Sequence, residues 1–146
     1  MSQDTGWWFS FFPPSISHVQ RVAHRLRRIS PLALTETRAL DLTAIVFGYA
    51  DYENLVEELA EDPIYPHKWD QDIDASSKAE RYELQVSSLE KHLDVPGSTA
   101  EYLVKLWRPS HRPPSFDAPD LETRMTQAKS ELARIRANPK AADASD

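Results

Sequence analysis

The stretch that decides the fold is TETRALDLTAIVFGYADYENLVEEL, residues 35–59. Thr35 is expected to cap a first helix, because its hydroxyl can accept a hydrogen bond from a free backbone N–H of the first turn. Gly48 should end that helix in a left-handed conformation, and Asp51 should cap a second helix. Helical spacing places apolar residues on faces that must meet, namely Leu40, Ala44, Phe47, Leu55 and Leu59.

The composition is that of one soluble, globular domain. The chain has 146 residues, of which 40% are hydrophobic and 27% charged, enough for a compact domain with a core. No apolar run approaches the roughly 20 residues that a membrane span needs. The N-terminus lacks the basic start and aliphatic core of a secretory signal. We therefore expect a cytoplasmic protein that does not enter a membrane.

Several kinds of chemistry are disfavoured by residue usage. The sequence contains no cysteine, which excludes disulfides, thiolate zinc sites and thiol catalysis. The three glycines are scattered, so no phosphate-binding glycine loop is predicted. Asp70, Asp72 and Asp74 begin like a calcium loop, but Ala75 and Arg81 replace the glycine and glutamate that such a loop needs. We predict no enzyme activity and assign no catalytic, cofactor-binding or metal-binding residue.

Residues 1–14, MSQDTGWWFSFFPP, form an aromatic N-terminal arm. The arm could fold back over its own domain, or its aromatic residues could anchor a partner protein. A role at a membrane surface is disfavoured because basic neighbours are lacking. We expect Trp8 and Phe12 to be buried, with Trp7 and Phe11 partly exposed.

The segment from about residue 15 to residue 30 should form a basic helix with one apolar stripe. Its polar face carries His18, Arg21, His24, Arg25, Arg27 and Arg28. One interpretation is a solvated face balanced by Glu57, Glu58 and Glu61. The other is a nucleic-acid-binding face formed by Arg21, Arg25 and Arg28, since arginine pairs well with phosphate. A helix-turn-helix is disfavoured, because its second helix would present Glu53, Glu57 and Glu58 to DNA.

Residues 22–55 combine that basic helix with a capped segment of the pattern ALDL-A---GY-D---L. The matching residues are Ala39, Leu40, Asp41, Leu42, Ala44, Gly48, Tyr49, Asp51 and Leu55. This pattern resembles a short bacterial helical module found in small plasmid-borne proteins and at the N-terminus of some glyoxalase-superfamily proteins. Tyr52 departs from the module, which often has Trp there. The resemblance implies a helical fold and a bacterial source but no activity.

Further helices are predicted over residues 76–93, 98–107 and 120–137, with a proline-rich linker at 109–119 and a frayed tail at 138–146. The helix of residues 76–93 has a stripe made of Ala79, Tyr82, Val86, Leu89 and Leu93, and Ser76 or Ser77 should cap it. The last helix has a second stripe, which could pack on the domain or on a second copy of the chain. The predicted fold is all-α, one domain of about five helices over residues 15–137.

Function is predicted from surfaces. The favoured hypothesis is a non-enzymatic bacterial interaction or regulatory protein, of an accessory, antitoxin-like or immunity-like kind, whose partner is another protein of unknown identity. The alternative is a nucleic-acid-associated regulator, which the net charge of −6 disfavours. A homodimer through the last helix is also a candidate. The predicted partner-binding residues are Trp7, Trp8, Phe11, Phe12, Glu53, Glu57 and Glu58, with Arg21, Arg25 and Arg28 for the alternative.

Overall fold

A computed structural model describes residues 11–61, 68–114 and 119–137. These ranges contain α-helices and one 3-10 turn, Asp70–Asp72, and no strand. The prediction of an all-α fold is confirmed, with six helices in one domain instead of about five. The helices are α1 (Ile16–Ile29), α2 (Glu36–Val46), α3 (Tyr52–Glu61), α4 (Ala75–Leu93), α5 (Gly97–Trp107) and α6 (Leu121–Ala137). None of these helices combines the length and the apolar character that a membrane crossing requires.

The corner between α2 and α3 forms as predicted. The Thr35 hydroxyl accepts a hydrogen bond from the Arg38 N–H at 3.1 Å, and Asp51 Oδ1 accepts one from the Asn54 N–H at 2.8 Å. Gly48 has a φ of 106°, so the helix ends in a conformation that favours glycine. All five apolar residues predicted to meet across this corner are buried. The sequence therefore predicts this element correctly down to its caps.

The other helices assemble around this corner. Helix α1 packs on α2, α6 packs on α3, and α4 pairs with α5. Contacts of α2 with α4 and of α1 with α5 join the two halves around one core. Trp107 closes this core, because its ring is fully buried and its indole N–H donates to the Val22 carbonyl at 2.8 Å.

The described end of the N-terminal arm belongs to the core. Phe11, predicted to be partly exposed, is fully buried, whereas Phe12 is only half-buried, so that prediction was wrong for this pair. The reason is a main-chain contact: the Phe11 N–H donates to the Phe47 carbonyl at 2.8 Å, which directs the ring onto Phe47. Trp69 lies against the same ring, with ring centres 5.1 Å apart. Trp7 and Trp8 lie outside the described residues.

Helices α1 and α4 bury polar residues that the patterns placed on the surface. His18 is buried against Phe11 and Trp69, although it was assigned to the polar face of α1. In α4 the buried residues are Arg81, Gln85 and Leu89, whereas Ala79 is exposed. Leu89 of the predicted stripe is buried and Tyr82, Val86 and Leu93 pack against the core, so the stripe fails only at Ala79 but omits the buried polar residues beside it.

Two predicted helix starts and one predicted surface segment also need correction. Asp74 caps α4 in place of Ser76 or Ser77, because its Oδ1 accepts a hydrogen bond from the Ser77 N–H at 2.8 Å. Helix α5 begins at Gly97 after Pro96, so Ser98 is not its cap. Pro109 and Ser110, predicted to lie in a surface linker, are buried.

The frayed tail predicted for residues 138–146 lies outside the described residues.

Candidate anion-binding surface

The acidic residues of α3 that were predicted to bind a partner are partly used within the chain. The Arg136 guanidinium of α6 pairs with Glu57, and its Nε lies 3.4 Å from Glu53 Oε2. Glu58 is exposed. Two of the three predicted glutamates therefore tie α3 to α6, which leaves a smaller free acidic surface than the sequence indicates.

The aromatic contact predicted for the arm is likewise reduced. Phe11 is covered by its own core and offers no surface to a partner, while Phe12 is half-buried. The apolar stripe of α6 is also mostly occupied, since Ala128 is buried and Leu132 and Ile135 pack against the core. Leu121 at the start of that stripe remains 40% exposed. The homodimer through α6 stays a prediction.

The arginines of α1 do not balance the glutamates of α3. Arg25 is fixed by carbonyl groups: its Nε donates to Trp107 O at 2.9 Å and its Nη2 to Arg108 O at 3.3 Å. These carbonyls stand at the C-terminal end of α5, where the helix dipole favours a cation. Arg27 is held in the same manner by the Leu34 carbonyl at 2.9 Å. One interpretation had these arginines balance Glu57, Glu58 and Glu61, but among the described residues no ion pair joins them, and Glu57 pairs with Arg136.

The polar face of α1 forms an open groove of about 560 Å³. Arg21 and Arg28 are exposed beside the anchored guanidinium of Arg25. The structure thus brings together the three arginines that the alternative hypothesis named. The groove is lined by Ser17, Gln20, Arg21, His24, Arg25 and Arg28. We refer to this set as the arginine groove.

The arginine groove has no carboxylate partner among the described residues. In the part of the chain that the structure describes, no ion pair joins Arg21, Arg25 or Arg28 to a carboxylate. Burial lowers the pKa of Arg25, and the neighbouring charge of Arg108 lowers it further. Like charges are therefore held close together, an arrangement that an incoming anion would relieve.

Arg108 extends the basic surface beyond α1, and sequence reasoning missed it. It lies at the C-terminal end of α5 with a φ of 50°, and its Nη2 stands 2.9 Å from His111 Nε2. Because a guanidinium can only donate, that imidazole nitrogen must accept, so His111 is neutral here. Burial lowers the pKa of His111, and the charge of Arg108 lowers it further. No sequence periodicity connects Arg25 to Arg108, because they meet only through packing of α1 on α5.

Asp70 and Asp74, which resemble the start of a calcium loop, accept hydrogen bonds within the chain. Asp70 Oδ1 accepts from Arg81 Nη1 at 3.1 Å and from the Ser110 hydroxyl at 2.7 Å. Asp74 is used as the cap of α4. Among the described residues, no cluster of three or more histidine and acidic side chains is placed to hold a metal ion.

Comparison with known proteins does not assign this chain to a family. The resemblance of residues 22–55 to a bacterial helical module stays a prediction. No protein-family model, no curated protein and no solved structure matches this chain.

Proposed function

We propose that this chain is a non-enzymatic interaction protein that binds an acidic segment of a partner protein in the arginine groove. The observation that carries the proposal is the line of three guanidinium groups on α1, with which no carboxylate of the described ranges forms an ion pair. Elsewhere in the chain Arg81, Arg134 and Arg136 all form ion pairs. Uncompensated arginines on one face are what recognition of carboxylates or phosphates requires.

A short acidic segment fits this surface better than a long polyanion. The chain carries a net charge of −6, so the surface beyond the groove is on balance acidic. A long duplex would meet that acidic surface as well as the groove, whereas a peptide would occupy the groove alone. A protein that binds a partner without catalysing a reaction would act as an accessory or regulatory protein, a class that includes antitoxin-like and immunity-like factors.

Nucleic-acid binding is the second candidate, and one observation favours it. Arg108 adjoins Arg25, so the basic surface continues from the face of α1 to the end of α5. A continuous row of cations can follow the phosphates of a single strand. The two candidates differ in salt dependence, because each phosphate contact on a single strand adds about 0.7 to the slope of log affinity against log salt.

The test compares a labelled Asp/Glu-rich peptide with labelled single-stranded and duplex oligonucleotides, by fluorescence anisotropy over a series of salt concentrations. The variant is Arg21→Gln with Arg28→Gln, since both side chains are exposed; Arg25 is kept because it anchors α5. The control, Lys91→Gln with Lys129→Gln, removes two exposed charges from other helices.

We expect the peptide to bind in preference to either oligonucleotide. The arginine variant should weaken peptide binding by about tenfold or more, as charge-assisted contacts are lost, and the control should change it by less than about twofold. Tight oligonucleotide binding with a steep salt slope would favour the second candidate. Equal weakening by both variants would mean that only net charge matters, and the arginine groove would not be a site.

A further inference from the structure

A second, smaller cavity lies where α4 and α5 pack together, and Arg108, which adjoins Arg25, is among its lining residues. Its volume is about 190 Å³, equal to the space of roughly six water molecules. Lys78 of α4 and Lys105 of α5 line this cavity together with Arg108. Three cationic residues, one from α4 and two from the C-terminal end of α5, thus line one small space.

The positive charge of this cavity is not cancelled by Asp70, the one acidic residue among the described residues that line it. Asp70 lines the cavity, but its Oδ1 already accepts from Arg81 and from the Ser110 hydroxyl. The Arg81 guanidinium is 1% exposed and compensates Asp70 from inside the core. No carboxylate within the described ranges forms an ion pair with Lys78, Lys105 or Arg108.

Arg108 gives the cavity a fixed hydrogen-bonding group. The carbonyl of Arg108 accepts from Arg25, and its guanidinium contacts His111, which together hold the residue at the cavity edge. Tyr82 also lines the cavity, but its hydroxyl is inaccessible to solvent, so the hydroxyl is not available to a ligand in the cavity.

We propose that this cavity binds a single phosphate group, either inorganic phosphate or a phosphate monoester. Lys78, Lys105 and Arg108 supply charge-assisted donors to the phosphate oxygens. Phosphate fits this donor set because its several oxygens can accept from different directions. A carboxylate offers only two oxygens and would leave part of the set unused. The site is separate from the arginine groove and does not rest on the proposed function.

The test is isothermal titration calorimetry of the full chain at pH 7 and constant ionic strength. The ligands are inorganic phosphate, phosphoserine, a nucleoside 5′-monophosphate and, as the carboxylate comparison, acetate. We expect saturable binding of phosphate or of a monoester and none of acetate. Binding of both monoesters but not of inorganic phosphate would identify an esterified ligand, and binding of inorganic phosphate alone would identify the free ion; either result supports the site.

The variants are Lys78→Gln and Lys105→Gln, each first checked for an unchanged circular dichroism spectrum. Each variant should weaken phosphate binding about tenfold, the lower end for a charge-assisted hydrogen bond. The controls Lys91→Gln and Lys129→Gln, which change exposed lysines of α4 and α6, should bind phosphate within about twofold of the original chain. The proposal is overturned if no phosphate compound binds, or if Lys78→Gln and Lys105→Gln bind as tightly as the original chain.

Discussion

Gly48 is where the backbone leaves α2, and its φ of 106° is open to glycine but strained for residues with a Cβ. We expect Gly48→Val to lower the free energy of unfolding by about 1–3 kcal/mol through backbone strain. Urea denaturation followed by circular dichroism measures this loss. The control is Gly97→Ala at the start of α5, where an added Cβ would lie at ordinary contact distance, 3.6 Å, from Glu90.

Gly97→Ala should be neutral or stabilise the chain by up to about 1 kcal/mol, because alanine restricts the unfolded chain more than glycine does. Equal stability changes at the two glycines would contradict the role of the left-handed conformation at the corner.

Glu131 has a mostly buried carboxylate that binds Tyr52 of α3 and Arg134 of its own helix. Its Oε2 accepts from the Tyr52 hydroxyl at 2.7 Å, and Arg134 binds both carboxylate oxygens at 2.8 and 2.9 Å. The hydrogen bonds from Arg134 lower the pKa of Glu131, burial opposes them, and the bond from Tyr52 adds to the lowering. The folded chain therefore binds a proton on Glu131 less readily than the unfolded chain.

This difference gives a pH dependence of definite sign. Because the pKa of Glu131 is lowered from 4.5, its stabilising contribution is complete above that pH and is lost as the pH falls through the folded pKa. Glu131→Gln should reduce stability at pH 7 and flatten the decline of stability between about pH 5 and pH 3. Urea denaturation at a series of pH values checks this. An unchanged acid decline in the variant would exclude Glu131 as its source.

Local chemistry explains which residues the sequence could identify. Thr35, Gly48 and Asp51 act on backbone within a few residues, so their roles can be derived from residue type and spacing alone. Tyr52 and Glu131 lie 79 positions apart and meet only after α6 has packed on α3. No property of either residue in isolation predicts that hydrogen bond.

At the scale of elements, α4 shows which core residues a hydrophobic stripe leaves out. Arg81 enters the core because Lys68 O and Asp70 Oδ1 satisfy its guanidinium, and Gln85 donates to the Ser110 hydroxyl at 2.9 Å. These partners lie in irregular segments before and after the α4–α5 pair. A pattern based on apolar residues cannot anticipate a polar face whose partners come from other segments.

The N-terminal segment was equally hard to predict, because it has no periodicity that distinguishes Phe11 from Phe12. We expect Phe11→Ala to lower the free energy of unfolding by about 3–5 kcal/mol, as a fully buried ring is replaced by a cavity. Phe12→Ala is the matched control and should cost less, since Phe12 is only half-buried. Thermal and urea denaturation of both variants measure the difference. A larger loss at Phe12 would restore the order predicted from the sequence.

At the scale of the whole molecule, the net charge does not reveal that several basic residues are grouped on one part of the surface. The chain is acidic overall, yet the arginine groove, Arg108 and the two lysines of the smaller cavity lie on neighbouring parts of α1, α4 and α5. The arginines of α1 could be foreseen because one helix carries them. The cavity could not, since Lys78 and Lys105 are single basic residues on separate helices that converge only in the folded chain.

The packing of α6 on α3 joins the last described helix to the common core. Helix α6 follows the long segment after α5, yet it covers α3 and takes part in the common core through Ala128. A chain that ends at residue 118 would expose that face of α3 and would leave Tyr52, Glu53 and Glu57 without their α6 partners. We expect this truncated chain to lose its cooperative thermal transition and its near-ultraviolet circular dichroism, while it keeps part of its helical signal.

A chain that ends at residue 137 is the matched control, because it keeps α6 and removes only the predicted tail. Its melting temperature should equal that of the full chain. Adding a synthetic peptide of residues 119–137 to the shorter chain should restore the near-ultraviolet signal in a concentration-dependent way, since binding to the folded form shifts the folding equilibrium. A chain without α6 that melts cooperatively at the original temperature would show that α3 needs no cover, and α6 would then be free to bind a second copy of the chain.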